Sequence, residues 1–253
     1  MALYRTEGIV LKTRNLGEAD RIVTLYSPDR GKIRAVARGA RRPRSRFVSS
    51  TQMFACADFL IFSGKSLDSI SQVEVKASFP RLHEDLTRLA YASYAVELVD
   101  EMVEEGERGE EIFSLLLAYL RLVSETHDPE MATRAFEIKF AAALGYGPRL
   151  DSCAHCGAVD VGQEIGFDPE AGGLVCGGCL GRNPGVLRIS RGAVELLKAL
   201  FAMDFSKIGR LGASPGLRRE IERMMRAHLD FRLDRKLRSL DFLAAVKAAP
   251  GDG

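Results

Sequence analysis

No stretch of this chain approaches the roughly eighteen consecutive apolar residues that a membrane-spanning helix requires. Its first residues also lack the charged-then-apolar layout of a secretory leader. A cytosolic protein without a membrane partner is therefore expected. Histidine is scarce: His83, His127, His155 and His228 are scattered, which argues against a histidine metal centre. There is no glycine-rich phosphate loop, and no Ser-His-Asp or Cys-His arrangement can be placed. Internal repeats and low-complexity tracts are absent too. These absences remove most enzyme classes, and no catalytic residue is assigned. One acid-rich run (Asp100, Glu101, Glu104, Glu105, Glu107, Glu110, Glu111) invites a nuclease metal site on composition alone. Its helical spacing, broken by glycine, is that of a solvated face or an interhelix turn.

What is present fits a folded chain. The 253 residues are 46% hydrophobic and 28% charged, enough to bury a core. The net charge of +2 conceals an uneven distribution. Residues 1–80 hold 14 Lys and Arg against 7 Asp and Glu; residues 81–150 hold 7 against 14. Residues 151–185 hold 1 against 5, and residues 186–253 hold 14 against 8. Basic ends around an acidic middle point to a polyanionic partner, although oppositely charged solvated faces would look the same.

The chain reads as α+β and multidomain. Residues 1–80 read as strands: a run around Ile9, Val10 and Leu11, then Arg21–Tyr26, Lys32–Arg38, Phe54–Phe62 and Leu67–Val75. Five strands with short turns fit a small antiparallel barrel such as the OB fold, with an SH3-like barrel as the alternative. From residue 81 the period becomes helical. Leu82, Leu86 and Leu89 share a face, as do Ile112, Leu116, Tyr119 and Val123. Asp128-Pro129-Glu130 and Ser214-Pro215 are helix starts, and a shorter helix spans Gly192–Met203. The expected parts are a barrel (1–80), a helical domain in two pieces (81–150 and 186–253) and a cysteine module between them (151–185). The tail from Ala248 is expected to be disordered.

Cys153-x-x-Cys156 and Cys176-x-x-Cys179 are separated by 19 residues, the spacing of a four-cysteine zinc site. Each turn brings two thiolates to one side, and two turns close a tetrahedron around Zn²⁺. Four thiolates fill the coordination shell, so the expected zinc is structural. The stretch between the pairs is too short to bury a core of its own. A pair of disulfides is the competing reading, disfavoured in a cytosolic chain. His155, inside the first pair, either replaces a ligand or faces solvent. Cys56 lies in an apolar strand, where a buried, inert thiol is expected.

Alternation along the third strand puts Lys32, Arg34, Val36 and Arg38 on one face, with Ile33, Ala35 and Ala37 inward. A loop follows with Arg41, Arg42, Arg44 and Arg46, read as mobile because Pro43 and Ser45 leave little to bury. Guanidinium groups pair bidentately with phosphate oxygens, so these seven cations are the candidate nucleic-acid contacts. Tyr4, Tyr26, Phe47 and Phe54 are candidate base-stacking residues, competing with a core role.

Taken together, these features resemble the RecO family of bacterial recombination mediators. The resemblance rests on Glu7-Gly8-Ile9-Val10-Leu11, Gly17-Glu18, Asp20-Arg21-Ile22, Gly31-Lys32 and Ala37-Arg38-Gly39-Ala40-Arg41. It continues through Arg134-Ala135-Phe136-Glu137, Leu144-Gly145-Tyr146-Gly147-Pro148 running into Cys153, and Leu237-Arg238-Ser239 with Phe242-Leu243. The pieces fall in the family's order and cover nearly the whole chain. The resemblance implies an OB barrel, a helical domain and, in many members, an inserted zinc module. It also implies binding of single- and double-stranded DNA, annealing of complementary strands, and work with RecR to load RecA onto DNA coated by single-strand-binding protein. The acidic C-terminal tail of that protein is a further implied partner. Arg134, at the family's Arg-x-Phe-Glu pattern, is the candidate carboxylate partner for that tail, against the alternative of a plain surface arginine. Arg218, Arg219, Arg223 and Arg226 form a run that extends the basic footprint unless intrahelical pairing takes it up. Two other readings stand: an RNA-binding or transcription-associated zinc-ribbon module, and an adaptor whose barrel binds protein.

Overall fold

The computed structural model describes residues 2–45, 47–209 and 211–249. Arg46 and the last four residues of the tail lie outside the described residues.

Five strands form a closed, OB-like barrel: β1 (Leu3–Leu16), β2 (Asp20–Ser27), β3 (Gly31–Ala37), β4 (Cys56–Phe62) and β5 (Asp68–Ala77). β1 is 14 residues long. Its first half pairs with β4 and its second half with β2, across a register shift between Val10 and Lys12 that bends the strand. The order around the ring is β1-β2-β3-β5-β4. Pairing is antiparallel except at the seam, where β3 and β5 run parallel at Ala35–Asp68 and Val36–Ser69. A wholly antiparallel barrel was expected, but a closed ring with an odd number of strands cannot alternate direction all the way round. Val10, Val23, Leu25, Ile33, Ala35, Phe59, Ile61 and Ile70 fill the interior. β4 starts at Cys56 rather than Phe54, because Phe54 sits at φ 75°, outside extended geometry.

Helices α1 (Pro80–Glu84), α2 (Leu86–Met102), α3 (Glu110–Glu125) and α4 (Pro129–Ala143) follow. Then come β6 (Ile165–Asp168), β7 (Gly173–Cys176), a 3-10 turn (Gly177–Arg182), β8 (Leu187–Ile189), α5 (Arg191–Ala202), α6 (Phe205–Ile208), α7 (Pro215–Asp230) and α8 (Ser239–Ala248). Their contacts form two units. One runs through Glu125 and regains the chain from Leu237; the other is Thr126–Lys236.

In the first unit, Leu86 does not share the buried face of Leu82 and is 65% exposed. The helix is interrupted at Asp85, whose carboxylate accepts from Arg88 N and caps α2. Ile112, Leu116, Tyr119 and Val123 are buried as the spacing predicts. α8 packs on α2, and the Glu97 carboxylate accepts from Arg238 N (3.1 Å) and Ser239 N (2.7 Å) at its start.

In the second unit, the predicted helix starts at Asp128 and Ser214 are present, accepting from Met131 N and Leu217 N, and the shorter helix begins one residue earlier than expected, capped by Ser190, which accepts from Ala193 N. α4 is buried on almost every side and contacts α5, α6 and α7. On α7, His228 is completely buried. Its Nε2–H donates to the Tyr146 carbonyl (2.6 Å), and its Nδ1 accepts from Arg232 Nη1 (3.2 Å). Protonating Nδ1 would remove that acceptor and set a cation against the guanidinium. Burial first, then the Arg232 charge, pull the His228 pKa from 6.5 down to about 4. The unfolded chain takes up this proton below pH 6.5, whereas the folded chain refuses it until pH 4. Stability is therefore full above pH 6.5 and falls by about 3 kcal/mol in total as the pH drops to 4. Depressed carboxylates in this unit, Asp128 and Asp168, lose stability only below their ordinary value of 3.8. Urea midpoints between pH 4 and 7 are expected to show this slope, and His228→Gln is expected to flatten it.

Candidate nucleic-acid interface and metal centre

The four cysteines come together. The Sγ atoms of Cys153, Cys156, Cys176 and Cys179 all lie within 4.8 Å of one another. Cys156 and Cys176 sulfurs are 3.7 Å apart. A tetrahedron with Zn–S bonds of about 2.3 Å has S–S edges of about 3.8 Å, so the set has the right size. Burial raises the Cys153 pKa, but the N–H groups of Cys176, Cys156 and His155 outweigh it and hold the thiol down at about 6. Burial, and then the neighbouring thiols, push Cys179 up to about 12; Cys176 is raised mainly by Cys156. Ionising all four thiols in this space would require a multivalent cation as counter-charge. Around them the apolar packing is slight: Cys153, Val175 and Cys179, with Val161, Cys176 and Val186 at the margin.

His155 is not one of the four clustered residues, and it is exposed as a solvent-facing reading expects, but its ring is engaged on one side. Its Nε2 lies 2.8 Å from the Asp168 carboxylate. Asp168, buried at the end of β6, also accepts from Asn183 Nδ2 (2.9 Å) and from the N–H groups of Glu170 (2.9 Å) and Ala171 (3.1 Å). This carboxylate ties the first cysteine turn to the chain that follows the second. Sequence reading missed it, because nothing in the spacing of residues 155, 168 and 183 marks them as neighbours. Cys56 is buried, and burial followed by Glu7 pushes its thiol up to about 12, consistent with an inert group.

On β3, Ile33, Ala35 and Ala37 face inward, and Lys32, Arg34 and Val36 face out. Two of these outward cations are engaged within the chain. Lys32 Nζ donates to the Asp100 carbonyl (2.5 Å), and Arg34 Nη2 lies 2.6 Å from Glu105 Oε1. Lys12 Nζ also reaches the Asp100 carboxylate, at 3.3 Å. The acid-rich run is brought this close by Gly31 (φ 67°), where a Cβ would stand 2.4 Å from the Glu107 carbonyl oxygen. Among the described residues these acids form no metal-ligating cluster.

The arginine loop is anchored in its described part. Ala40 and Phe47 insert into the barrel core. Arg41 Nη1 donates to the Gly17 carbonyl (2.7 Å), and Gly39 N donates to Asp20 Oδ1 (2.7 Å). Buried Ala40 and Phe47 pin the loop at two points. Arg41 is thus a fastener between the loop and the β1–β2 turn. Arg38, Arg42 and Arg44 are exposed and make no ion pair among the described residues.

Three of the four aromatic candidates are core residues. Tyr26, Phe47 and Phe54 are buried, with Tyr26 Oη donating to the Gly109 carbonyl. Tyr4 is half-buried; its hydroxyl donates to Asp68, and Arg30 lies 4.0 Å over its ring. Arg134 is not at the surface. It is 2% exposed, and its Nη1 lies 3.1 Å from Glu137 Oε2 one turn along α4. A charged i,i+3 pair reads as solvated, but α4 is enclosed by other helices, so an incoming carboxylate would have to displace Glu137. The C-terminal run is largely engaged as well. Arg218 is bidentate to Asp128, Arg226 pairs with Asp230 and Arg223 donates to the Arg188 carbonyl.

Comparison with known proteins adds independent findings. The family model described as "Recombination protein O N terminal" matches residues 1–79, and "Recombination protein O C terminal" matches residues 83–241. A protein named "DNA repair protein RecO" from Symbiobacterium thermophilum is 45% identical over 98% of this chain and 100% of its own length. One of the same name from Pelotomaculum thermopropionicum is 42% identical over 99% of this chain and 97% of its own. Another, from Roseiflexus sp., is 39% identical over 97% and 86%. Among the described residues, no helix is long and apolar enough to cross a membrane. With both family models matched in order and relatives aligned nearly end to end, the chain belongs to the RecO family of DNA repair proteins.

Proposed function

We propose that this protein is a DNA repair and recombination mediator that binds single- and double-stranded DNA and anneals complementary strands. The reading extends to the family's partners: RecR, the acidic tail of single-strand-binding protein, and RecA, which is loaded as a consequence. It includes a cytoplasmic, nucleoid-associated location and a structural zinc ion on Cys153, Cys156, Cys176 and Cys179. Annealing needs no bond made or broken. Two strands repel each other, and a basic surface lowers that repulsion by neutralising phosphates and releasing counterions. The residues assigned to phosphate contact are Arg38, Arg42 and Arg44, with Arg41 holding the loop in place. The observation that carries the reading is this trio of exposed guanidinium groups on an anchored loop of an OB-like barrel, with no acid among the described residues paired to them. Backbone contacts carry no sequence information, so binding should be salt-sensitive and indifferent to sequence.

The test is the salt dependence of affinity. Replacing Arg38, Arg42 and Arg44 together by alanine removes up to three phosphate contacts. The slope of log affinity against log salt should become shallower by about 2.7 on duplex and about 2.1 on single strands. An unchanged slope would remove this loop from the interface. Preference for RNA over DNA in direct competition would favour the RNA-binding reading instead.

A further inference from the structure

The Leu144–Pro148 turn has no part in the function argued so far, yet it presents an aromatic ring on a rigid mount. α4 ends in a tight turn: Gly145 adopts φ 79°, and Tyr146 N donates to the Ala141 carbonyl at 2.7 Å. The Tyr146 carbonyl is held by His228 Nε2. Gly147 lies against Ala142, where a Cβ would come within 3.1 Å. The backbone is thus fixed, while the Tyr146 residue remains 49% exposed. The Arg232 guanidinium sits 5.7 Å from the ring centroid. Arg232 is itself held by the carbonyls of Pro169 (3.1 Å) and His228 (2.7 Å), beside Gly172, where a Cβ would come within 2.6 Å of Nη2. Three residues on, Arg149 is exposed and makes no ion pair among the described residues. Its backbone is fixed by bonds with Gly172 and Leu174.

We propose that Tyr146 is a stacking platform for an unpaired nucleobase, with Arg149 receiving the adjoining phosphate. An exposed aromatic ring near one guanidinium and followed by another suits a single strand, because every base has a π-face and every linkage a charge. A peptide aromatic would instead need apolar walls, and the ring's neighbours along the turn are Gly145 and Gly147. This inference rests on the nucleic-acid reading above. It adds a single-strand site in the Thr126–Lys236 unit to the arginine loop of the barrel unit.

The experiment compares full-length wild type, Tyr146→Ala and Tyr146→Phe, with a labelled oligothymidylate and a blunt duplex of equal length. Tyr146→Ala should weaken single-strand binding by about fivefold or more and leave duplex binding unchanged. Tyr146→Phe should bind as wild type. Photocrosslinking from 5-iododeoxyuridine in the oligonucleotide should label the peptide containing Tyr146. Unchanged single-strand affinity in Tyr146→Ala, an equal loss on duplex, failure of Tyr146→Phe to restore binding, or crosslinks confined to other peptides would each overturn the proposal while leaving the arginine-loop reading intact. A wild-type protein that binds neither oligonucleotide would overturn both.

Discussion

Purified protein should contain one zinc ion per chain, and replacing Cys153 and Cys179 together by serine should unfold the region from Cys153 to Val186. Both are the buried members of the ligand set, and they form most of the small apolar cluster there. Without the ion, this stretch keeps the hydrogen bonds of Asp168, a few turn bonds such as Cys153 N to the Ala158 carbonyl, and two short pairings, β6 with β7 and β6 with β8. Four-ligand zinc sites contribute about 10–16 kcal/mol of apparent binding energy in small peptides at neutral pH, which is folding energy wherever the site forms only in the folded state. The loss here should be several kcal/mol at least, read as rapid hydrogen exchange and proteolysis across this region. A strong chelator should reproduce it. Salt-dependent duplex binding should survive, because the arginine loop belongs to the unit that lacks these cysteines. Elemental analysis showing no metal in a protein whose cysteine region is nonetheless protected would dispose of the idea.

The second large effect concerns Arg134 and Glu137. With Arg134 2% exposed and Glu137 0%, their ion pair lies in the interior of a helix group. Glu137→Gln leaves the guanidinium with its charge and without that carboxylate, at a cost of about 3–5 kcal/mol. Arg134→Met combined with Glu137→Leu removes both charges and should recover most of that loss, since apolar replacement of a buried pair is often close to neutral. Urea denaturation of the three variants measures the difference. A loss below about 1 kcal/mol in Glu137→Gln would mean that the pair is not what holds α4 in place.

Much of this was legible in the residues. The cysteine spacing specified four side chains that do converge, because a Cys-x-x-Cys turn needs only its own local geometry. Alternation in β3 separated Ile33, Ala35 and Ala37 from Lys32 and Arg34, because strand periodicity is a property of consecutive residues. Asp128-Pro129 and Ser214-Pro215 started helices for the same reason. Local signals also misled. Leu86 fits the spacing of Leu82 and Leu89 but falls beyond a break that Asp85 caps. Arg134 reads as a carboxylate partner or a plain surface arginine, yet other helices cover it.

The sequence by itself determined the barrel's strands, the helix starts at Asp128 and Ser214, the four converging cysteines and the presence of a basic loop, all matters of neighbours within a few residues. Only the tertiary structure decided which cations remain available. Lys32 meets Asp100 across 68 positions of chain, and Arg218 meets Asp128 across 90, while Arg42 and Arg44 meet no acid among the described residues. The reason is physical: a charge is neutralised by whatever packing brings within a few ångströms, and that distance depends on how remote segments are folded together rather than on their spacing in the chain.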